Sequence, residues 1–318
     1  MKLKIATRIY NEEYFIEAFL RYYIALGANE ICIFDGYSTD NSLKIIEQMQ
    51  NQSHFFKSNI NVVCSDKKYR HKGYLQQTQF CNLILRYAIK DFLKTQEEVI
   101  WIFPDIDEFI RKPESGDIIE YLNKSLSDII RTVFIEWYFP LKLKKIDVKP
   151  IQMLEDIKIG KLRGKIMDLW GDPYHKDYII RLNCQNITNF KNIYTVSGFH
   201  RLILNEQILI PPNKEFLIVD HLRGAPINIF SQRVEKNLKL LKNTRDEWSY
   251  QHFSQLKERI NDYDNFYNKS LKTSEEIEFQ LKKIKGFVNS KSYFNNVVMR
   301  DNLNNLGVSK PSMHDYKS

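Results

Sequence analysis

Short apolar runs alternate along the first third of the chain with stretches in which apolar residues recur every three or four positions, and each run ends in a polar cluster. Residues 3–9 read as a strand. Asn11 has the chemistry of an N-cap, with Glu12 and Glu13 placed in the first turn where the helix dipole favours anions. Ile16, Phe19, Leu20, Tyr23 and Ile24 then recur at helical spacing, and Gly27 ends the run as a residue after a C-cap does. Residues 30–34 form a second strand that gives way to the polar turn 35–41. A helix through Leu43, Ile45, Ile46 and Met49 leads to a strand at 60–64, a longer helix covers about 75–93, and residues 99–103 have the apolar, aromatic character of a buried strand. This order, strand and helix in alternation, predicts an α/β fold with a doubly wound, mostly parallel sheet whose strand ends face one crevice. Thr7, Arg8, Asp35 and Asp105 are expected to meet there.

The pattern is less regular afterwards. Residues 117–126 read as a helix, 129–139 as a long apolar strand carrying Phe134, Trp137, Tyr138 and Phe139, and 172–181 as a loop turning into a strand. Trp137 is a core aromatic by spacing and a candidate platform for a sugar face. Residues 216–219 are a strand that runs into Asp220 and His221. From about 227 the chain becomes rich in helix formers, with Ile229, Phe230, Val234, Leu238 and Leu241 at helical spacing. We therefore expect a domain over residues 1–225 and a helical extension over 226–318, whose default reading is a solvated charged face and whose lysines also suit an acidic membrane surface. The last residues, from about 302, read as a frayed tail.

Composition narrows the class. With 43% hydrophobic and 13% aromatic residues in 318, the chain can bury a large core. Its net charge of +8 suits anionic small substrates, and the lysines are too scattered to predict nucleic acid. Cys32, Cys64, Cys81 and Cys184 form no C-x-x-C, which fits a reducing cytoplasm. The opening residues lack an apolar segment of signal-peptide length, and no uncharged run long enough to span a bilayer occurs, so a soluble or membrane-peripheral protein is expected.

The chemistry concentrates where the 99–103 strand ends, at Asp105-Ile106-Asp107-Glu108. Two aspartates two apart point the same way in extended backbone, and hard oxygen ligands with few other protein donors suit Mg²⁺ or Mn²⁺ shared with a substrate phosphate. A plain surface turn is the alternative. The first strand-to-helix turn, residues 6–11, has no glycine, which removes the dinucleotide fingerprint and the P-loop. A nucleotide could still bind through base and ribose contacts, its diphosphate left to a cation. The basic stretch Lys67-Lys68-Tyr69-Arg70-His71-Lys72 offers Arg70 or Lys72 to a diphosphate, or is a solvated loop.

Thr7-Arg8-Ile9-Tyr10-Asn11-Glu12-Glu13, Ala25-Leu26-Gly27-Ala28, Asp35 to Asn41 with its Ser-Thr-Asp, Asn82, and Trp101 to Phe109 together resemble the glycosyltransferase family 2 and family 92-like GT-A enzymes, in order as well as in kind. The resemblance covers roughly the first 110 residues, with weaker echoes to His221 and Gly224. It implies a metal-dependent glycosyltransferase, with Mn²⁺ or Mg²⁺ as cofactor, a nucleoside-diphosphate sugar as donor and a glycan or glycolipid as acceptor. Donor contacts are then implied for Thr7, Arg8, Asn11, Glu12, Asp35, Asn82, Asp105 and Lys176. Metal ligation is implied for Asp105, Asp107 and His221, with His200 as second choice. A general base for the acceptor hydroxyl is sought among Glu136, Asp168 and Asp172. Tyr37 departs from the pattern, because relatives usually place Gly before the Ser-Thr-Asp. A catalytically silent glycan-binding protein of the same fold and a nucleotidyltransferase are the alternatives; intact aspartates speak against the first, and the absence of a glycine-rich, basic phosphate loop against the second.

Overall fold

The computed structural model describes residues 1–52, 57–66, 74–114, 117–125, 127–140, 162–166, 175–196, 199–208, 216–224, 226–242, 247–284 and 290–291. The first half follows the expected alternation: β1 (Lys2–Ile9), α1 (Ile16–Ala25), β2 (Glu30–Asp35), α2 (Ser42–Asn51), β3 (Asn59–Ser65), α3 (Tyr74–Thr95) and β4 (Val99–Ile102). Then come β5 (Glu108–Ile110), β6 (Lys112–Pro113), α4 (Ile118–Lys124), β7 (Ile129–Tyr138), β8 (Arg163–Lys165), β9 (His175–Leu182), α5 (Ile187–Phe190), β10 (Tyr194–Val196), β11 (Arg201–Leu204), β12 (Gln207–Ile208) and β13 (Phe216–Gly224). Three longer helices follow, α6 (Ile227–Leu241), α7 (Glu247–Asn261) and α8 (Ser274–Leu281).

One nine-stranded sheet organises these elements, in the order β3-β2-β1-β4-β9-β7-β13-β5 with β8 paired to β7. Strands β1 to β4 are mutually parallel, and β7 and β13 run the same way. The antiparallel strand β9 enters the sheet past the end of β4, whose last residue Ile102 pairs with Ile179, and β5 begins near the end of β13, where Glu108 faces His221. Carboxyl ends of the parallel strands and amino ends of β9 and β5 thus share one edge, where a doubly wound sheet binds its ligands. The interior strands read as continuous apolar runs because both faces are covered: β4 is buried throughout, as is β2 beyond its first residue.

Local details decide the turns at that edge. Asn11 is not the N-cap of α1, which begins after Phe15. It takes a left-handed conformation (φ 54°), and its side chain accepts a hydrogen bond from the Thr39 amide at 2.8 Å, joining the β1 and β2 turns. Asparagine tolerates that conformation better than most residues, so the same chemistry that suggested a cap serves a turn. Gly27 does end α1, at φ +99°. Gly164 is required by close approach, because a Cβ there would lie 2.8 Å from the Trp137 ring. Trp137 itself is buried, and its indole N–H donates to Asp220 Oδ1 at 2.8 Å; it is a core residue and offers no face to a sugar.

α1 ties the core to the site strand. It buries Ile16, Phe19, Leu20, Tyr22 and Tyr23, the Tyr23 hydroxyl donates to the Glu108 carbonyl at 2.9 Å, and the Tyr22 hydroxyl donates to that of Ile110. Beyond β13, a second apolar cluster of Tyr138, Phe230, Val234, Leu256, Tyr263 and Leu271 packs α6 and α7 against the end of β7. Burying such side chains contributes roughly 1.5–3 kcal/mol each, enough to hold the helices firmly over the sheet edge. Among the described residues no helix is long and apolar enough to cross a membrane. The cysteines are free, with Cys32 and Cys81 buried and Cys184 exposed.

Candidate active site

The sheet edge and the helices after β13 enclose a cavity of about 270 Å³. Arg8 reaches it from the end of β1, and Asn11 and Glu12 from the turn that follows. Asp105, Asp107 and Glu108 come from the turn between β4 and β5, Lys176 from β9, His221 and Arg223 from β13, and His200 from the turn before β11. The opposite wall is helical, with Arg233, Lys236 and Asn237 from α6 and Ser249 and His252 from α7.

The two aspartates do not point to a shared partner. Residues 106 and 107 form a turn, closed by the Glu108 amide donating to the Asp105 carbonyl at 3.1 Å, where extended backbone was expected. Asp105 Oδ2 accepts from Lys176 Nζ at 2.7 Å, and the same ammonium meets Glu108 Oε1 at 2.5 Å. The other Glu108 oxygen accepts the Asp105 amide at 2.9 Å. Burial alone would raise the Asp105 carboxyl, but Lys176 and Arg8 outweigh it and hold it at about 2. Glu108, fully buried, goes the other way: desolvation pushes it up to about 7 against the pull of Lys176. Two carboxyl groups therefore share one ammonium.

Asp107 turns to the other side. Its Oδ2 accepts from Arg233 Nη1 at 2.7 Å, and its Oδ1 lies 3.6 Å from His221 Nε2. Burial opposes ionisation, yet Arg233 and His221 hold the carboxyl well below the usual carboxylate range. Arg233 Nη2 also approaches Glu12 Oε2 at 3.6 Å, while burial raises the Glu12 carboxyl despite that neighbour. Next along the helix, Lys236 donates to the Tyr10 carbonyl at 3.2 Å and sits 4.0 Å from the centre of the Tyr10 ring.

The Asp107–His221 separation bears on a metal ion. At 3.6 Å it is too long for a hydrogen bond. Two donors each about 2.1 Å from one ion stand about 3–4 Å apart, so the pair suits Mg²⁺ or Mn²⁺ as a half-site. Among the described residues no group of three or more His, Cys, Asp or Glu is placed to hold a metal. Further ligands would have to be substrate or water oxygens, which is how Mg²⁺ is usually held beside phosphates. His200 is taken up elsewhere: its Nδ1 lies 2.8 Å from the His175 carbonyl, and burial, with Lys176 nearby, pushes it down to about 3.

Other expected donor residues serve the frame. Asp35 is fully buried and accepts the amides of Tyr37 at 3.1 Å and Ser38 at 3.0 Å and the hydroxyl of Ser65 at 2.5 Å. Thr7 is buried within β1. The Asn82 amide holds both backbone groups of Thr195 at 2.9 Å, fastening α3 to β10. Glu136 is not a base poised for an acceptor hydroxyl. It accepts from Arg223 at 2.7 Å, from the Tyr138 hydroxyl at 3.1 Å, and pairs with Lys165 at 3.1 Å. Burial opposes them, but Arg223 and Lys165 hold its carboxyl well below the ordinary range, where it is a weak proton acceptor. Asp168, Asp172, Arg70 and Lys72 lie outside the described residues.

Arg233 and Lys236 carry no mark of a site in the sequence. Arg233 and Lys236 stand three apart on α6 between the buried Phe230, Val234 and Leu241, so they share a helix face only once the fold shows which face meets the cavity.

No protein-family profile and no curated protein matches the chain. Among solved structures, residues 1–349 of TarS from S. aureus in complex with UDP share 15% identity over 85% of this chain and 73% of that one, with a TM-score of 0.36. The galactosyltransferase LgtC in complex with donor and acceptor sugar analogs shares 9% over 80% and 69%, at 0.28. Glucosyl-3-phosphoglycerate synthase from Mycobacterium tuberculosis, in complex with Mn²⁺, UDP and glucosyl-3-phosphoglycerate, shares 13% over 50% of this chain and 51% of that one, at 0.23. Scores this low leave the reading of the cavity to its own residues.

Proposed function

We propose that this protein is a GT-A-type glycosyltransferase that moves a sugar from a nucleoside-diphosphate sugar to a hydroxyl of a glycan or glycolipid. The observation that carries the reading is the charge arrangement in the cavity. Asp107 and His221 form a half-site for a divalent cation, and Arg8, Lys176, Arg233 and Lys236 surround it. A diphosphate supplies what this set lacks, namely oxygens to complete the ion's shell and negative charge to meet the guanidinium and ammonium groups. The cation, when bound, supplies Lewis-acid stabilisation of the departing diphosphate.

The chain's own residues do the rest. Arg8 and Lys176 lie on the sheet edge where the diphosphate would rest, and Lys176 is oriented by Asp105 and Glu108. In transfer, the bond from the sugar's anomeric carbon to the diphosphate oxygen breaks, a bond to the acceptor oxygen forms, and the hydroxyl's proton passes to a base. The buried carboxylates of Asp35 and Glu136 hold the turn after β2 and Arg223 in place, so that little reorganisation is needed as charge develops.

The test is a panel of nucleoside-diphosphate sugars incubated with the protein with and without Mn²⁺, followed by release of the nucleoside diphosphate. Metal-stimulated turnover of at least one donor is expected. A protein that binds none of the nucleoside diphosphates would overturn the proposal.

A further inference from the structure

The cation half-site straddles an edge of the sheet. Asp107 immediately precedes β5, a strand of three residues that ends the nine-stranded order and pairs with β13, the strand that carries His221. The ladder between them runs from the Leu222 amide, which donates to the Asp107 carbonyl at 2.9 Å, to the Arg111 amide, which donates to the Ile218 carbonyl at 2.8 Å. So short an edge strand has few backbone bonds to fix its place.

His221 makes that place matter. A histidine that ligates a metal ordinarily has its second ring nitrogen held by a carboxylate, a carbonyl or water. Here Nδ1 is buried and has no hydrogen-bond partner among the described residues, and the ring packs against Phe134 with centres 5.8 Å apart. The spacing of His221 from Asp107 is therefore left to the two strands.

A buried ion cluster spans those strands on the other face of the sheet. Side chains alternate along β13, so Asp220 points away from His221. Arg111 Nη2 donates to Asp220 Oδ1 at 2.9 Å and Nε to Oδ2 at 3.0 Å, and the Trp137 indole N–H holds the same carboxylate. Arg111 Nη1 extends outward to Glu278 Oε1 of α8 at 2.6 Å, and just beyond, Ser290 and Lys291 pair with Pro113 and Lys112 of β6. Burying an ion pair carries a desolvation cost that makes it weak evidence for stability, whereas a two-pronged guanidinium contact specifies position. At this place in the fold the position specified is that of β5 against β13.

We infer that Arg111 is a positioning residue, which together with Asp220 and Glu278 sets the spacing of Asp107 and His221 for a divalent cation, and that α8 acts on the site through it. The inference rests on the cation half-site proposed above.

The experiment titrates Mn²⁺ into the unaltered protein, Arg111→Lys and Glu278→Gln, following the free ion by electron paramagnetic resonance at a temperature where each protein is folded by circular dichroism; Tm is recorded for each. Arg111→Lys keeps a charge beside Asp220 and loses the fork, so Mn²⁺ affinity should fall at least about fivefold, somewhat below the ~10–100-fold typical of partners that touch a metal ligand directly. Glu278→Gln, at a side chain 39% exposed, should lower Mn²⁺ affinity about threefold with Tm unchanged. A role in stability alone would lower the Tm of Arg111→Lys and leave the Mn²⁺ affinity of the folded protein as it was. Unchanged affinity in folded Arg111→Lys would overturn the inference, and where that variant does not fold, unchanged affinity in Glu278→Gln overturns it; with Arg111→Lys weakened, an unchanged Glu278→Gln overturns the part given to α8. An unaltered protein that binds no Mn²⁺ would overturn the half-site and the inference with it. Mn²⁺ binding that behaves as expected in a protein that binds none of the nucleoside diphosphates would overturn the transferase reading and leave this inference standing.

Discussion

The sheet edge and the α6–α7 wall face one another across a single cavity and hold their charges by different means. On the sheet edge the Lys176 cluster is gripped by neighbours in the main fold: Lys176 sits between Asp105 and Glu108, and Tyr23 fixes the backbone of Glu108 through its hydroxyl. On the helical wall the charges are held by what they meet across the gap. Arg233 reaches Asp107 and Glu12 and rests 5.2 Å from the centre of the Phe15 ring, while Lys236 reaches Tyr10. A group gripped by its own wall is preorganised, and one that bridges the cavity can exchange its partner for a ligand. The edge thus carries the chemistry, and the wall responds to what binds.

That division yields a first prediction, on the edge, with the largest effect. On the proposed transferase reading, Asp107→Asn keeps shape but removes the charge that a hard cation needs, and the cation would act most on charge developing as the diphosphate leaves. Turnover should fall by at least about a hundredfold, while affinity for the nucleoside diphosphate falls much less. Full metal-dependent transfer by Asp107→Asn, measured in steady-state kinetics, would place the metal site elsewhere.

The wall should behave in the opposite sense toward the metal. Arg233 occupies Asp107 Oδ2 and brings a positive charge next to the half-site. Arg233→Gln frees that oxygen and removes the repulsion, so affinity for Mn²⁺ in the absence of nucleotide should rise, on the order of tenfold for the loss of one charge-assisted contact. Titration calorimetry with Mn²⁺ reads this directly. A weakened or unchanged Mn²⁺ affinity would mean that Arg233 supports the half-site and does not compete for it.

The same contrast explains what could be read from the chain. Strands β1 to β4 and their helices were legible because short parallel strands covered on both faces give apolar runs, and crossover helices give three-and-four spacing. The clustering of Arg8, Asp105 and Asp107 follows from that topology, since the carboxyl ends of parallel strands must share an edge. Side-chain partners were not legible. Asp105 and Asp107 separate because residues 106 and 107 turn, and nothing in a D-x-D spacing distinguishes a turn from a strand end. Asp35, expected as a donor contact, anchors a turn, a use of its oxygens that the sequence does not separate from ligand binding. Glu136 looked available because Arg223 and Lys165, its partners, lie 87 and 29 positions away, as their residue numbers show. Arg233 and Lys236 appeared as a solvated face because mixed charges on an amphipathic helix carry no mark of what they will meet.

The smallest effect concerns acid, and it tests how closely the wall is sealed against the sheet. His252 on α7 contacts the Arg223 guanidinium of β13 through Nε2, and burial together with that positive neighbour pushes its imidazole down to about 3. His200, on the sheet side, is pushed to the same value, also by burial first. A base whose pKa is lower in the folded protein than in the unfolded chain, where it is about 6.5, leaves the folded state binding fewer protons. The stability such a group contributes is complete above pH 6.5 and is lost as pH falls from 6.5 toward 3. His252→Gln keeps a polar partner for Arg223 and removes one of the two titrations. The number of protons taken up on unfolding near pH 5 should then drop by about one, and Tm should decline less steeply between pH 7 and pH 4.5 than in the parent. His200→Gln gives the same reading for the sheet side. If His252→Gln leaves the slope of Tm with pH unchanged while His200→Gln flattens it, then water reaches His252 in the folded protein and the helical wall stands open at α7.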